Sequence, residues 1–182
     1  ALEGKSLPNE LKSLLLPSTL QEVVKESYAR GRDEDDHESL KRVTIWGAIA
    51  DQMTMDDSVR QEILSNIIRA HIRLRDYTSA EAQLKLFDQK GYSAAFLLRG
   101  FMLRRKGDFR EAIPHLKEAA RLRKYDHSAI QELANCYQKL GMVKELAVLV
   151  NEHKDMVERS ASLLDFRVNL LIGSGKLLEA ES

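Results

Sequence analysis

The sequence predicts an all-α chain built from antiparallel helix pairs, and three observations carry that expectation. Turn glycines stand at Gly107, Gly141 and Gly175, two intervals of 34 residues, and Ala112, Leu146 and Ala180 keep the same step. Apolar and small residues recur at helical spacing, as in Leu40, Val43, Gly47 and Ala50. Glycine (9) and proline (3) are scarce in 182 residues, which disfavours a sheet with its many tight turns. A fixed period of this length marks a helical repeat: one pair cannot bury its own apolar face, so stacked neighbours supply the core.

The elements follow in order. A short helix over 7–16 is interrupted by Pro17. Ser18 is a candidate N-cap for a helix that runs to about Arg30 and ends before Gly31. The charged stretch Arg32 to Asp36 forms a loop, its acidic end suiting the start of the next helix, over about 36–53. Asp57 or Ser58 then caps a helix to Leu74. Further helices are expected over 78–90, 93–105, 109–124, 127–140, 143–158 and 161–173, with Pro114 bending the third of these. Residues 1–60 thus read as non-consensus helices packed on a solenoid of repeats over 61–92, 93–126, 127–160 and a truncated 161–182.

Within the repeats the small residues have a packing role. Gly100 and Ala134 admit the partner helix of their own pair, and Ala112 and Ala119 do the same from the second helix. The unit begun by Arg75, Asp76 and Tyr77 has the turn pattern but no turn glycine.

These places resemble the tetratricopeptide repeat (TPR) family. Phe96, Gly100 and Leu103 match its first helix, and Gly107 to Phe109, Ala112, Leu116 and Ala119 match its turn and second helix. Ile130, Leu133, Ala134, Tyr137, Gly141, Leu146 and Val150 repeat the set, with His153 where a small residue is usual; Leu164, Val168 and Leu171 open the last copy. The resemblance covers about 61–182 and implies an α-α superhelix of TPR type that binds a partner in its concave groove. Some members hold a terminal carboxylate in a clamp. Asn135 fits one clamp place, while Gln131 and Phe166 stand where lysine and asparagine would be.

In that architecture the first helices line the groove, and the period supplies its columns. They are Arg73, Arg105 and Lys139; Ile72, Arg104 and Gln138; Arg69, Phe101, Asn135 and Asn169; and Ser65, Leu97, Gln131 and Asp165. The candidate partner-binding residues are therefore Arg69, Arg73, Phe101, Arg104, Arg105, Asn135, Lys139 and Asn169. Stacked cations, asparagine amides and a central Phe101 suit an acidic peptide or protein segment with one apolar anchor. Net charge is zero overall. Residues 99–124 nevertheless hold nine basic and three acidic groups, a net of +6, whereas 1–58 hold seven basic and twelve acidic, a net of −5.

Chemistry of other kinds has little support. The five histidines show no paired spacing, and one cysteine, Cys136, makes neither a zinc pattern nor an internal disulfide. Gly173 to Lys176 lacks the spacing of a phosphate loop, and Asp33 to Asp36 that of a calcium loop. No catalytic set, metal or cofactor is expected, so the chain is not read as an enzyme. No apolar run approaches the roughly 18 residues that span a bilayer, and a reducing, cytoplasmic setting fits the lone cysteine. The first residues and the broken last unit are those expected of a piece cut from a longer protein.

The expected function is therefore a protein-interaction scaffold. One rival is a regulatory or sensor segment of a larger multidomain signalling protein. A weaker one is nucleic-acid binding through the basic face, which aromatic residues at only 6% leave with little to stack on bases. Self-association through the truncated last repeat is a further expectation.

Overall fold

A computed structural model describes residues 16–50, 53–122 and 127–173. The helix expected over 7–16 and the turn at Gly175 lie outside the described residues. Within them every regular element is a helix, consecutive helices within each of two units pack on one another, and there is no strand. The chain divides into two units, Ala1–Tyr92 and Ser93–Ser182.

The first unit holds α1 (Pro17–Asp33), α2 (His37–Ala50), α3 (Asp57–Arg73) and α4 (Tyr77–Lys90). Helix α1 packs on α2 and α3, α2 on α3, and α3 on α4. Pro17 occupies the first turn of α1, where its missing N–H costs nothing; the N-cap is Leu16, so Ser18 does not cap this helix. Helix α1 also runs through Gly31 to Asp33 instead of stopping before it. The reason is packing: a Cβ on Gly31 would lie 2.6 Å from Leu40 Cγ, so the glycine admits α2 and does not end α1. Asp36 caps α2, accepting from the Glu38 and Ser39 amides at 3.0 and 3.2 Å and from the Ser39 hydroxyl at 2.6 Å. Leu40, Val43 and Ala50 are buried as the spacing predicted, and Gly47 lies close to Ile67 of α3. Helix α3 runs unbroken across 60/61, where the sequence reading placed the start of the repeats.

The second unit holds α5 (Ala94–Lys106), α6 (Phe109–Leu122), α7 (His127–Lys139), α8 (Val143–Glu152), α9 (Lys154–Glu158) and α10 (Ala161–Gly173). Helices α5 and α6 form one pair and α7 and α8 the next. Helix α7 also packs on α5, α6 and α10. The core is made by Leu97, Ala112, Leu116, Ala119, Ile130, Leu133, Ala134, Tyr137 and Leu146, joined by Leu163 and Phe166 of α10. Gly100 does what its place suggested, since a Cβ there would lie 2.5 Å from Leu116 of the partner helix. Pro114 is carried inside α6 without breaking it.

The helix expected over 143–158 is two helices. His153 (φ −114°, ψ 32°) ends α8, and its carbonyl accepts from the Met156 and Val157 amides to start α9. The break brings Val157 into the core. In α10 the buried residues are Leu163 and Phe166, while Leu164 is 39% exposed. The helix turns its burial toward α7, α8 and α9, one position off the expected face.

Four helix ends share one turn. At Gly91, Gly107 and Gly141 the backbone is left-handed (φ 68°, 96° and 67°), and at Arg75 it is equally so (φ 61°). In each, the left-handed residue donates back three positions and the next residue donates back five, as Gly107 to Arg104 (3.1 Å) and Asp108 to Leu103 (2.9 Å). The unit without a turn glycine therefore makes the same turn, with arginine carrying the strain.

Candidate functional site

The candidate residues separate between the units. Arg69 and Arg73 belong to α3 in the first. Arg73 folds against α1, its Nε donating to Tyr28 Oη at 3.2 Å while its guanidinium carbon lies 5.9 Å from that ring's centre.

The other six lie in the second unit. Phe101, Arg104 and Arg105 of α5 form one cluster: both guanidinium carbons stack on the Phe101 ring, at 5.4 and 5.6 Å from its centre. All three cations of this last turn (Arg104, Arg105 and Lys106) also complement the negative end of the helix dipole. Phe101 is only 8% exposed, so it is the platform under the arginines, not an open anchor.

Arg104 is locked across two successive pairs, from α5 to α7. Its Nε faces Glu132 Oε2 of α7 in an ion pair, and Nη2 donates to Oε1 at 3.4 Å; the two side chains are 21% and 16% exposed. Cys136, one turn after Glu132, is fully buried. Burial first, then the Glu132 carboxylate, pushes its thiol up to about 11, with Arg104 opposing. That thiol stays protonated and unreactive near neutral pH.

Asn135 spends an amide proton on its own helix, Nδ2 donating to the Gln131 carbonyl at 3.0 Å. Lys139 and Asn169 are exposed. Several column members are not surface at all: Ser65, Ile72 and Leu97 are buried at 8%, 1% and 3% exposure. Equal phase along the chain does not guarantee equal exposure, because neighbouring helices cover each place differently.

The sequence reading missed Glu132, which lies 28 residues from Arg104 and so off the 34-residue step. It also missed a cleft of about 340 Å³ between α7, α8 and α10. Tyr137, Gln138 and Gly141 form one wall, Val143 and Leu146 the second, and Asn169 and Leu170 the third. A broader hollow of about 540 Å³ lies over α6, α7 and α8, bordered by Lys117, Lys144, Glu145, Glu152 and His153. Among the described residues no group of three or more histidine, cysteine, aspartate or glutamate side chains could hold a metal ion. No helix there is long and apolar enough to cross a membrane.

Comparison with protein-family models, curated proteins and solved structures finds no match to this chain.

Proposed function

We propose that the chain is a tetratricopeptide-like scaffold, its helix pairs stacked as a superhelix, that binds an acidic segment of a partner protein on the α5, α7 and α10 side. The observation that carries this reading is the match between Arg105 and Lys139. Each is exposed, each lies two residues before a left-handed turn glycine, and their helices pack on one another. Equivalent cations on packed helices suit a ligand that runs across successive pairs.

In this reading the candidates divide the labour. Arg104 is tied to Glu132, and Phe101 is the buried platform on which Arg105 stacks. Arg105, Lys139 and Asn169 are the ligand contacts, and Asn135 joins them by giving up its bond to Gln131.

Fluorescence polarisation with a labelled hexa-aspartate peptide tests the reading. Arg105→Glu and Lys139→Glu should each weaken binding by roughly fivefold to tenfold, since an exposed ion pair contributes up to about 1 kcal/mol and reversal adds repulsion. Binding should also weaken as salt is raised. Undiminished affinity in both variants overturns the assignment.

A further inference from the structure

We propose that Glu132 is an internal competitor within the acidic-segment site, a carboxylate of the chain itself that withholds Arg104 from the ligand and so limits its affinity. This rests on the scaffold reading above and adds the regulation of that site.

The inference starts from the distribution of charge on two packed helices. Helix α5 carries Arg99, Arg104, Arg105 and Lys106 and no carboxylate, and Glu132 is the one carboxylate of α7. By itself α5 would therefore offer an acidic ligand two guanidinium groups on one turn, Arg104 and Arg105, both stacked on the Phe101 ring. Glu132 reaches across from the next pair and takes one of them. Its Oε2 pairs with Arg104 Nε, and its Oε1 accepts from Nη2 at 3.4 Å. Both carboxylate oxygens thus face the guanidinium as those of a bound ligand would.

A carboxylate arriving from water competes poorly for that place. It must shed its own hydration, whereas the fold already holds Glu132 against its cation. Displacing Glu132 would leave a largely buried carboxylate without its partner, one turn from the buried Cys136. The ligand therefore binds around the pair, on Arg105 and on Lys139 one pair further along. One-fifth of the Arg104 side chain still reaches the surface, so its guanidinium becomes available once the competing charge is gone. Asp165 supplies the comparison. It is exposed and is the one carboxylate of α10, which packs on α7, so neutralising it removes the same unit of charge without releasing Arg104.

Fluorescence polarisation with the labelled hexa-aspartate peptide and the full chain tests this. Glu132→Gln, which keeps the shape and removes the charge, should bind roughly threefold to fivefold more tightly, the scale of one partly exposed ion pair. Adding Arg104→Gln to it should remove that gain. Asp165→Asn should gain less than about twofold, because an exposed charge on another helix is screened. In the wild-type chain, the Arg105 Nε–H resonance should shift on titration with the peptide while Arg104 Nε–H stays in place, a readout independent of how the variants fold. No gain in Glu132→Gln, an equal gain in Asp165→Asn, or a gain that survives Arg104→Gln overturns the inference. So does an Arg104 resonance that moves as far as that of Arg105. Each of these can occur while Arg105→Glu still weakens binding, which leaves the scaffold reading standing. If the wild-type chain does not bind the peptide, or neither resonance moves, the scaffold reading itself fails and takes this inference with it.

Discussion

Gly100→Ala asks whether close contact between α5 and α6 shapes the second unit. Two effects of opposite sign compete. Alanine is favoured over glycine inside a helix by about 1 kcal/mol. The new methyl group, however, would lie 2.5 Å from both Cγ and Cδ2 of Leu116, and 3.4 Å from its backbone nitrogen. Leu116 is fully buried in a core shared with Ala112 and Ala119, so it has little room to retreat. Overpacking of this kind costs roughly 1–3 kcal/mol, and two atoms inside contact distance place it at the upper end. The expected net loss is about 1–2 kcal/mol in urea denaturation followed by far-UV circular dichroism, with an unchanged slope. Leu116→Ala alone should lose about 2–5 kcal/mol. The double variant should lose no more than that single one, because truncating Leu116 removes the obstacle, giving a coupling above about 1 kcal/mol. Gly100→Ala more stable than the natural chain, or strictly additive with Leu116→Ala, refutes the close-contact argument.

Arg75→Gly should stabilise the first unit by about 0.5–1 kcal/mol, because glycine adopts the observed φ of 61° without the steric cost an arginine bears. Equal or lower stability in thermal unfolding would mean that the arginine side chain contributes more than its backbone loses. Glu132→Gln should destabilise the second unit by about 2 kcal/mol, less than a fully buried ion pair because one-fifth of Arg104 is still exposed. The same substitution removes a negative charge near Cys136 and leaves Arg104 positive, so the thiol should titrate below about 11. A Cys136 Cβ carbon titration that does not move down contradicts the arrangement.

Much of the fold was legible because it depends on short-range rules. Helical spacing placed the bodies of α1 through α7 and of α10 but not the break at His153 that divides α8 from α9, and the glycines at 107 and 141 marked left-handed turns that the backbone does make. Arg75 shows the same rule working without its usual residue: the flanking helices impose the turn and the side chain tolerates it. Gly31 shows where one-dimensional reading fails. A glycine past a helix end and a glycine under a neighbouring helix look identical in sequence, and only Leu40, 2.6 Å from where a Cβ would be, separates them.

The candidate site divides in the same way. The matching exposure of Arg105 and Lys139 could be found from the period, because both stand two residues before a left-handed turn glycine. Phe101 could not be assigned, since an aromatic in phase with asparagines looks like an anchor until two arginines are found stacked upon it. Nor could Glu132, whose partnership with Arg104 depends on how α5 and α7 cross.

Alone, then, the amino-acid order determined that this chain is helical, where most of its helices turn, and that cations recur in step along it. Those properties are set by backbone geometry and side-chain spacing within a few turns. Tertiary packing decided which of those cations are spent internally, which columns are covered, and that a cleft opens between α7, α8 and α10. Such outcomes depend on the distance between helices that are far apart in the chain, a quantity no local pattern encodes.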